Sequence, residues 1–372
     1  MGVGNLAGAF ERNGFSAVSW TDQRPEPSVP PQRGVVLSDG LLAFERAVDG
    51  WALLRAGLQA ASFPDDMAGL ESCREALSLG GTAPTPADLL QLLTTVATED
   101  RPPPRELRAA FQRLEAIRSG LHAARLAGRP ALNAELLFEI SAKLGGRGLA
   151  GRDLPRAQQA GEAIDRLLAE TLQLPLLVRA AMLTARIEIA APFGAASPML
   201  ARLALPLLAA AEGRPPLFLS DSLLPRQNHY DQALAALAPP RAPNGATHGA
   251  PNGATLGEPH GTWEGWIAFH ASLVADAAEA ALRRLREAER LRGALARELE
   301  TLRSHSNAHR LADLAVTMPV MTVGMAQQSL GVSFQTANAA IAALVKLGVL
   351  RPQSSVRRNR MFMLAGLAAT AA

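Results

Sequence analysis

The sequence contains few aromatic residues and almost no cysteine. Phe, Trp and Tyr together make up 4% of its 372 residues, although apolar residues as a whole reach 48%. The core must therefore be built mainly from Ala, Leu and Val, which favours packed helices over sheets. The single cysteine, Cys73, excludes an intramolecular disulfide and a cysteine-rich zinc site. We expect a protein of a reducing compartment that has no metal centre.

A long apolar run and a strong charge of one sign are also missing. The longest apolar run, residues 203–211, is interrupted by Pro206 and is far shorter than the roughly 20 residues that span a bilayer. No basic segment followed by an apolar run is visible near Met1. The formal net charge of +3 is too weak by itself to indicate nucleic-acid binding. These features predict a cytoplasmic protein without a membrane segment.

The composition changes along the chain and divides it into segments. A length of 372 residues predicts two or three domains. Apolar residues recur at helical spacing between proline-rich and glycine-rich stretches. We predict a disordered lead-in at 1–36, a helical region at 37–144, a helical core at 145–238, a low-complexity insertion at 239–260, a long helix at 261–305 and a C-terminal module at 306–372.

Local signals predict the helices within these segments. Pro86 suits the first turn of a helix, and Thr85 or Asp88 can supply the capping oxygen. The segment that begins at Trp263 is a packed helix, a dimerising coiled coil or both, and its periodicity favours the packed helix. Further helices are predicted at 106–127, 133–144, 156–174, 175–189 and 198–212.

The insertion contains a direct repeat. Residues 242–249 and 250–257 are identical except that His248 in the first copy corresponds to Leu256 in the second. The density of Pro, Asn and Gly is typical of turns and disorder, and two copies are too few for a solenoid. We interpret the repeat as a recently duplicated surface insertion.

The C-terminal module has the element order of a winged helix-turn-helix. A short helix at 310–316 and a second at 323–330 precede a turn at Gly331, and Ser333 is the predicted N-cap of a third helix at 334–347. In that third helix Phe334 is expected to face the core together with Ile341, Leu344 and Val345. Residues 351–364 read as a two-stranded hairpin with a basic tip.

This order suggests contact with double-stranded DNA. Short polar side chains on the third helix can meet base edges in a major groove, and arginines in the wing can contact phosphates. Many winged helices, however, serve only as packing or dimerisation modules. The candidate DNA-binding residues are Ser333, Gln335, Thr336, Asn338, Ala339 and Lys346 on the helix and Arg357, Arg358 and Arg360 in the wing.

Four blocks in order resemble the Fic family, in its bacterial form with a C-terminal winged helix. Residues 183–193 look like the helix that leads into the family's His-Pro-Phe, and residues 203–234 look like the helices after the active loop. Residues 262–269, Thr-Trp-Glu-Gly-Trp-Ile-Ala-Phe, are similar to the family's Trp-Glu-x-Trp-x-x-Phe-Phe. Residues 331–362 match the winged helix. The resemblance implies a mainly α fold: a Fic-type helical bundle, then a long helix and a winged helix-turn-helix with a small β-hairpin.

The resemblance also implies an activity that this sequence lacks the residues to perform. Fic enzymes transfer AMP from ATP to a protein hydroxyl with a loop that reads His-Pro-Phe-x-Asp-Gly-Asn-Gly-Arg-x-x-Arg. In the family the His is the general base, the acidic residue holds Mg²⁺, and the Asn, glycines and arginines hold the phosphates. In the loop at 191–202 the His position is Ala191, the acidic position Ala195, the Asn position Ser197 and the first Arg position Met199. The two glycine positions are Ala196 and Pro198, and only Pro192, Phe193 and Arg202 keep the family residue.

Three functions are compatible with this pattern. The first is a catalytically degenerate Fic-like protein that regulates transcription by binding DNA, or that regulates a protein partner, through the winged helix. The second is a residual enzyme that binds ATP and Mg²⁺ and uses Arg202, with Glu188 and His229 as nearby candidate bases. Arg202 more simply forms a salt bridge beside its helix. The third is a scaffold that forms a homodimer through 261–305. We expect no catalytic residue, cofactor or metal under the first and third functions.

Overall fold

The computed structural model describes residues 36–60, 64–97, 103–128, 132–145, 154–237, 263–301, 306–352 and 360–365. The predicted lead-in lies outside these residues except for Val36, and the repeat insertion lies wholly outside them. Arg357 and Arg358, which were predicted to lie in the wing, are outside as well. Outside these gaps the predicted mainly α fold is confirmed.

The N-terminal half is a set of packed helices. Its helices are α1 (Val36–Ala60), α2 (Pro64–Ser78), α3 (Pro86–Ala97), α4 (Arg108–Ala127), α5 (Ala134–Lys143), α6 (Leu154–Glu170) and α7 (Leu176–Ala190). The predicted start of α3 is confirmed, because the Thr85 N–H donates to Asp88 Oδ2 at 3.0 Å and the Asp88 N–H donates to Thr85 Oγ1 at 3.2 Å. This reciprocal pair satisfies two of the backbone donors that a helix start leaves open.

Shorter helices follow the loop after α7. They are α8 (Ser197–Arg202), α9 (Ala204–Ala211), α10 (Ser220–Leu223) and α11 (Gln227–Leu237). The prediction of one continuous helix over 198–212 is wrong, because α8 and α9 meet at Leu203 with a bend of 57°. Pro206 explains the break: it has no N–H to donate to the carbonyl of Arg202, and its ring would clash with that carbonyl in a straight helix.

The long helix α12 (Trp263–Glu298) packs along α1. A Cβ atom added at Gly50 of α1 would lie 3.3 Å from the Ala278 Cβ of α12, so the two helices approach closely at this point. Buried residues of α12 extend from Trp266 to Leu295. The long helix is therefore a packed helix, as its periodicity predicts, and α1 of the same chain covers much of its apolar face.

The C-terminal module has the predicted order of elements. Its elements are α13 (Asn307–Thr317), β1 (Val320–Thr322), α14 (Val323–Leu330), α15 (Phe334–Lys346), β2 (Leu350–Pro352) and β3 (Met361–Leu364). Gly331 and Gly348 take left-handed φ values of 64° and 77°, which a side chain disfavours, at the ends of α14 and α15. The hairpin of β2 and β3 was predicted. The sheet is larger than predicted, because β1 joins the other edge of β3 in the antiparallel order β1-β3-β2.

One apolar core joins the module to the helices before it. Helix α13 packs against α12 and α2, and β1 packs against α3. Arg292 Nε of α12 also donates to Asp313 Oδ1 of α13 at 2.8 Å. The buried cluster is continuous from Ala47 in α1 to Leu364 in β3. The limits of the six predicted segments stay predictions.

In the described part of the chain, no single helix is long and apolar enough to cross a membrane. Residues 194–202 and 204–211 reach the required length and composition only when these bent segments are taken together. Helix α9 is fully buried within the protein.

Candidate functional site

The candidate loop begins at a strained residue. Ala191 ends α7 with φ 44° and ψ 48°, and it is the one non-glycine residue with a positive φ among those described. Its N–H donates to the carbonyl of Ile187 at 3.0 Å, which closes the last turn of α7. An alanine in this left-handed region costs about 1–2 kcal/mol because its Cβ crowds the following carbonyl. The backbone therefore makes a sharp turn from helix to loop at Ala191, whose methyl side chain has no reactive group.

The centre of the loop is held by packing and by one internal hydrogen bond. The Phe193 ring is 2% exposed and meets the ring of Phe138 edge to face, with 4.7 Å between the ring centroids. Ser197 Oγ accepts a hydrogen bond from the Phe193 N–H at 3.0 Å, and both residues are buried. The Ser197 hydroxyl thus holds the loop to the start of α8. Pro198 occupies the first turn of α8 and has no amide to offer an anion.

The remaining candidate positions supply no titratable side chain to the loop surface. Ala191 and Ala195 are exposed methyl groups, and Met199 packs partly buried against the core. No cluster of three or more His, Cys, Asp or Glu residues that would hold a metal ion occurs within the described ranges. The loop positions that the resemblance assigns to a base and a metal ligand therefore do not fit Mg²⁺–ATP chemistry.

Arg202 at the end of α8 points into a polar cluster. Its Nη2 donates to Gln227 Oε1 of α11 at 3.1 Å. Its Nε is buried and has no hydrogen-bond partner among the described residues. The predicted salt bridge of Arg202 is wrong for this part of the chain, because its direct partner is a neutral amide. The carboxylates of Glu75 and Glu188 act on Arg202 only at longer range.

Glu75 of α2 is the buried acid of this cluster. It is 3% exposed and accepts a hydrogen bond from Ser220 Oγ at 2.7 Å. Burial raises the pKa of the Glu75 carboxyl to about 7, because desolvation of the charged form outweighs the opposing effects of the Ser220 hydrogen bond and the Arg202 charge. Glu75 can therefore exchange a proton near neutral pH.

Glu188 pairs with the one tyrosine of the sequence. Tyr230 Oη donates to Glu188 Oε1 at 3.0 Å, and burial raises the pKa of both side chains. This bond gives Glu188 a structural partner in α11 instead of leaving it open for proton abstraction. His229, the other candidate base, is exposed to solvent beside Tyr230.

Sequence reasoning missed most of this cluster. Glu75, Ser220, Gln227 and Tyr230 come from α2, α10 and α11, and nothing in their spacing along the chain links them to Arg202. The available signal was weak: the one Tyr of the sequence, shortly after the loop. Only the packing of these helices brings the residues together.

The third helix of the C-terminal module, α15, presents a second candidate surface. Ser333 is its N-cap, since Ser333 Oγ accepts from the Thr336 N–H at 3.2 Å. Ser333 Oγ also lies 2.9 Å from Thr336 Oγ1, so the two hydroxyls pair locally. The face toward the core is formed by four buried residues: Ala337, Ala340, Ile341 and Leu344.

The opposite face of α15 is open to solvent. Its exposed residues Gln335, Ala339, Ala342 and Lys346 recur at helical spacing, and Asn338 lies beside them half-buried. The prediction that Phe334 faces the core is wrong, because its side chain is 56% exposed at the start of the helix. Phe334 is the first residue of α15, so its ring lies at the open end of the helix.

Basic residues also lie in the strands of this module, which carries a net positive charge. Arg351 in β2 and Arg360 before β3 are exposed, and Arg351 was not among the predicted residues. Six of the 37 Lys and Arg residues but only one of the 34 Asp and Glu residues, Asp313, lie in 306–372. The module therefore has a net charge of +5, while residues 1–305 have a net charge of −2.

Comparison with known proteins finds a similarity among solved structures. No family model matches this sequence, and no curated protein matches it significantly. Among solved structures, the chain is similar to a Fic family protein from Desulfovibrio desulfuricans, with 15% identity over 92% of this chain and 99% of that one and a TM-score of 0.45. At such low identity, the role of a residue does not transfer from one chain to the other.

Proposed function

We propose that this chain is a cytoplasmic, Fic-like regulator that binds double-stranded DNA through its winged helix and does not transfer AMP. The observation that carries the proposal is the exposed face of α15 in a module of net charge +5, beside a remainder of net charge −2. Such a segregated positive charge is the electrostatic footprint of a nucleic-acid partner, because phosphate contacts dominate affinity for DNA.

The degenerate loop supports the second half of the proposal. Ala191 offers no lone pair to the attacking hydroxyl, and Ala195 offers no oxygen to Mg²⁺. Loss of a general base alone removes about 10²–10⁴ of rate enhancement. Ser197, the residue at the anion-binding position, already accepts the Phe193 N–H at 3.0 Å.

DNA binding is tested by fluorescence anisotropy on a pool of random duplexes at several salt concentrations. The Arg357→Ala, Arg358→Ala, Arg360→Ala triple variant should bind more weakly. Its slope of log K against log salt should fall by up to about 0.9 for each lost phosphate contact. The matched control removes three exposed arginines near α4: Arg105→Ala, Arg108→Ala and Arg125→Ala. Equal losses in both triple variants, or no binding at 50 mM salt, would contradict the proposal.

The absence of AMP transfer is tested with labelled ATP and a cell lysate. We expect no covalent label above a heat-denatured control and no Mg²⁺-dependent heat when ATP is titrated into the protein. Transfer of label would instead establish the residual enzyme, with Arg202 as the first residue to substitute.

A homodimer through 261–305 is a separate proposal. Helix α1 covers much of the apolar face of α12, so a dimer would have to use the face that α1 leaves exposed. A solution mass equal to the chain mass of 39.2 kDa would contradict it.

A further inference from the structure

The exposed face of α15 has an unusual composition for a basic module. It carries the amide of Gln335, the half-buried amide of Asn338, the phenyl ring of Phe334 and the methyl groups of two alanines. Lys346, at the far end, is the one charged residue of the helix. Of the other described basic residues that are exposed, Arg351 lies in β2 and Arg360 directly before β3, outside this helix.

These side chains match one kind of base pair. A Gln or Asn amide pairs with N6 and N7 of adenine, and an apolar side chain contacts the C5-methyl of thymine, whereas guanine is read by Arg or Lys. Within the described residues neither the Gln335 nor the Asn338 amide has a hydrogen-bond partner. Both amides therefore keep their donor and acceptor available for a base edge.

We infer that α15 reads A·T base pairs in the major groove, with Gln335 and Asn338 on adenine and Phe334 on a thymine methyl group. The inference rests on the proposed DNA binding and adds the bases that are recognised. It also explains why a phenyl ring is 56% exposed at the start of a well-packed helix. Phe334 then acts as a specificity-determining residue.

The shape of the face suits close approach to the groove floor. Ala339 and Ala342 lie in the middle of the exposed stripe and project only one methyl group each. From Gln335 to Lys346 the helix rises about 16 Å, the length of about five base pairs. Lys346, Arg351 and Arg360 at the margins are placed for phosphates, which fix orientation without selecting sequence.

The first experiment selects bound duplexes from a random library and sequences them. We expect a core of about four to five base pairs that is dominated by A·T pairs. The selected duplex is then remade with deoxyuridine in place of each thymine of the core in turn, which removes only the C5-methyl group. One such replacement should weaken binding by the wild type, and Phe334→Ala should remove the difference between thymine and uracil.

A parallel pair of measurements tests the amides. Replacing a core adenine by 7-deazaadenine removes the N7 acceptor and should weaken wild-type binding on the order of 10-fold. The affinity of the Gln335→Ala variant should not change when 7-deazaadenine replaces adenine at the one position that Gln335 contacts. Lys346→Ala is the contrasting variant: it should weaken binding to all sequences alike and lower the salt slope by about 1. Melting temperatures of the three variants show that each is folded.

The possible outcomes separate the inference from the proposed function. A selected core of G·C pairs, or a Phe334→Ala variant that still distinguishes thymine from uracil, would overturn the reading of A·T pairs while DNA binding stands. No binding to any duplex would overturn both.

Discussion

Glu75 in α2 accepts a hydrogen bond of 2.7 Å from the Ser220 hydroxyl at the start of α10, although 145 positions separate the two residues in sequence. The carboxyl is 3% exposed, and its burial raises its pKa to about 7. The bond therefore joins two helices through an acid that is half-protonated at neutral pH. This acid is close enough to Arg202, at the end of the loop at 191–202, to feel its charge.

Glu75→Gln should stabilise the protein above neutral pH. The pKa of Glu75 is about 7 in the folded protein and 4.5, the ordinary value, in the unfolded chain. The protonated acid therefore stabilises the fold fully below about pH 4.5, and this stabilisation is lost as the pH rises through 7. The glutamine keeps an oxygen for Ser220 and has no charge to bury. The gain at pH 8 should be on the order of 3 kcal/mol, with little gain at pH 4.5.

Urea denaturation of wild type and variant at pH 4.5 and 8 measures this gain. Glu139→Gln, at an exposed glutamate of α5, is the matched control and should show no such pH dependence. A stability difference between Glu75→Gln and wild type that is the same at both pH values would contradict the prediction.

For His270 in α12 we predict that stability depends on pH in the opposite direction. Its imidazole is 1% exposed, neither ring nitrogen has a hydrogen-bond partner in the described residues, and burial lowers its pKa to about 4. The pKa of His270 is therefore lower in the folded protein than the ordinary value of 6.5. The neutral ring is fully compatible with the fold above about pH 6.5, and stability is lost as the pH falls toward 4. His270→Leu should therefore be more stable than wild type by on the order of 3 kcal/mol at pH 4.

Part of that gain should remain at pH 7.5, because the neutral ring still buries an N–H without an acceptor. Thermal denaturation between pH 4 and 7.5 follows both effects. His122→Gln, at an exposed histidine of α4, serves as the control. If His270→Leu lost stability at every pH, His270 would have a packing role that this prediction neglects.

Local chemistry explains which parts of the fold were predictable. The cap at Thr85 and Asp88, the turn at Gly331 and the N-cap at Ser333 each depend on residues within four positions of one another. The order of the elements in the C-terminal module followed from such signals. Their limits appear at Phe334, where helical spacing predicted a core residue but the ring at the first position of α15 is 56% exposed.

The candidate site was predictable only where its residues are close together in the sequence. The loop at 191–202 was placed from its own residues, and the structure shows that Ser197 holds Phe193 there. The partners of Arg202 were not predictable, because Gln227 and Glu75 reach it from other helices. Strand β1 was missed for a similar reason: its three residues become a strand only by pairing with Met361, Phe362 and Met363.

The buried ion pair of Arg179 and Glu212 should be strongly asymmetric to mutation. Arg179 Nη1 lies 2.6 Å from Glu212 Oε1, with side chains 2% and 5% exposed. Glu212→Leu leaves the Arg179 charge buried and should cost about 3–5 kcal/mol. Arg179→Met should cost less, because Glu212 keeps Arg214, whose Nε lies 3.1 Å from Glu212 Oε2. The double variant should lie within about 1–2 kcal/mol of wild type, since replacing both charges with apolar groups removes the desolvation penalty.

A double-mutant cycle in guanidinium chloride measures the coupling between the two residues. Arg290→Ala is the comparison, because Arg290 and Glu287 form a pair with side chains 76% and 53% exposed. The Arg290→Ala variant should lose hardly any measurable stability. Additive losses in the Arg179–Glu212 cycle would contradict the prediction.

Ala191→Gly should stabilise the protein, although glycine usually destabilises helical segments. At φ 44° alanine bears about 1–2 kcal/mol of strain that glycine does not, and glycine adds about 0.4–1 kcal/mol of entropy to the unfolded chain. The net gain should be about 0.5–1 kcal/mol, seen as a higher denaturation midpoint with an unchanged slope. Ala163→Gly, in the middle of α6, is the matched control and should lose about 1 kcal/mol. A loss at both positions would show that Ala191 is not strained in solution, and the loop would then leave α7 by a different turn.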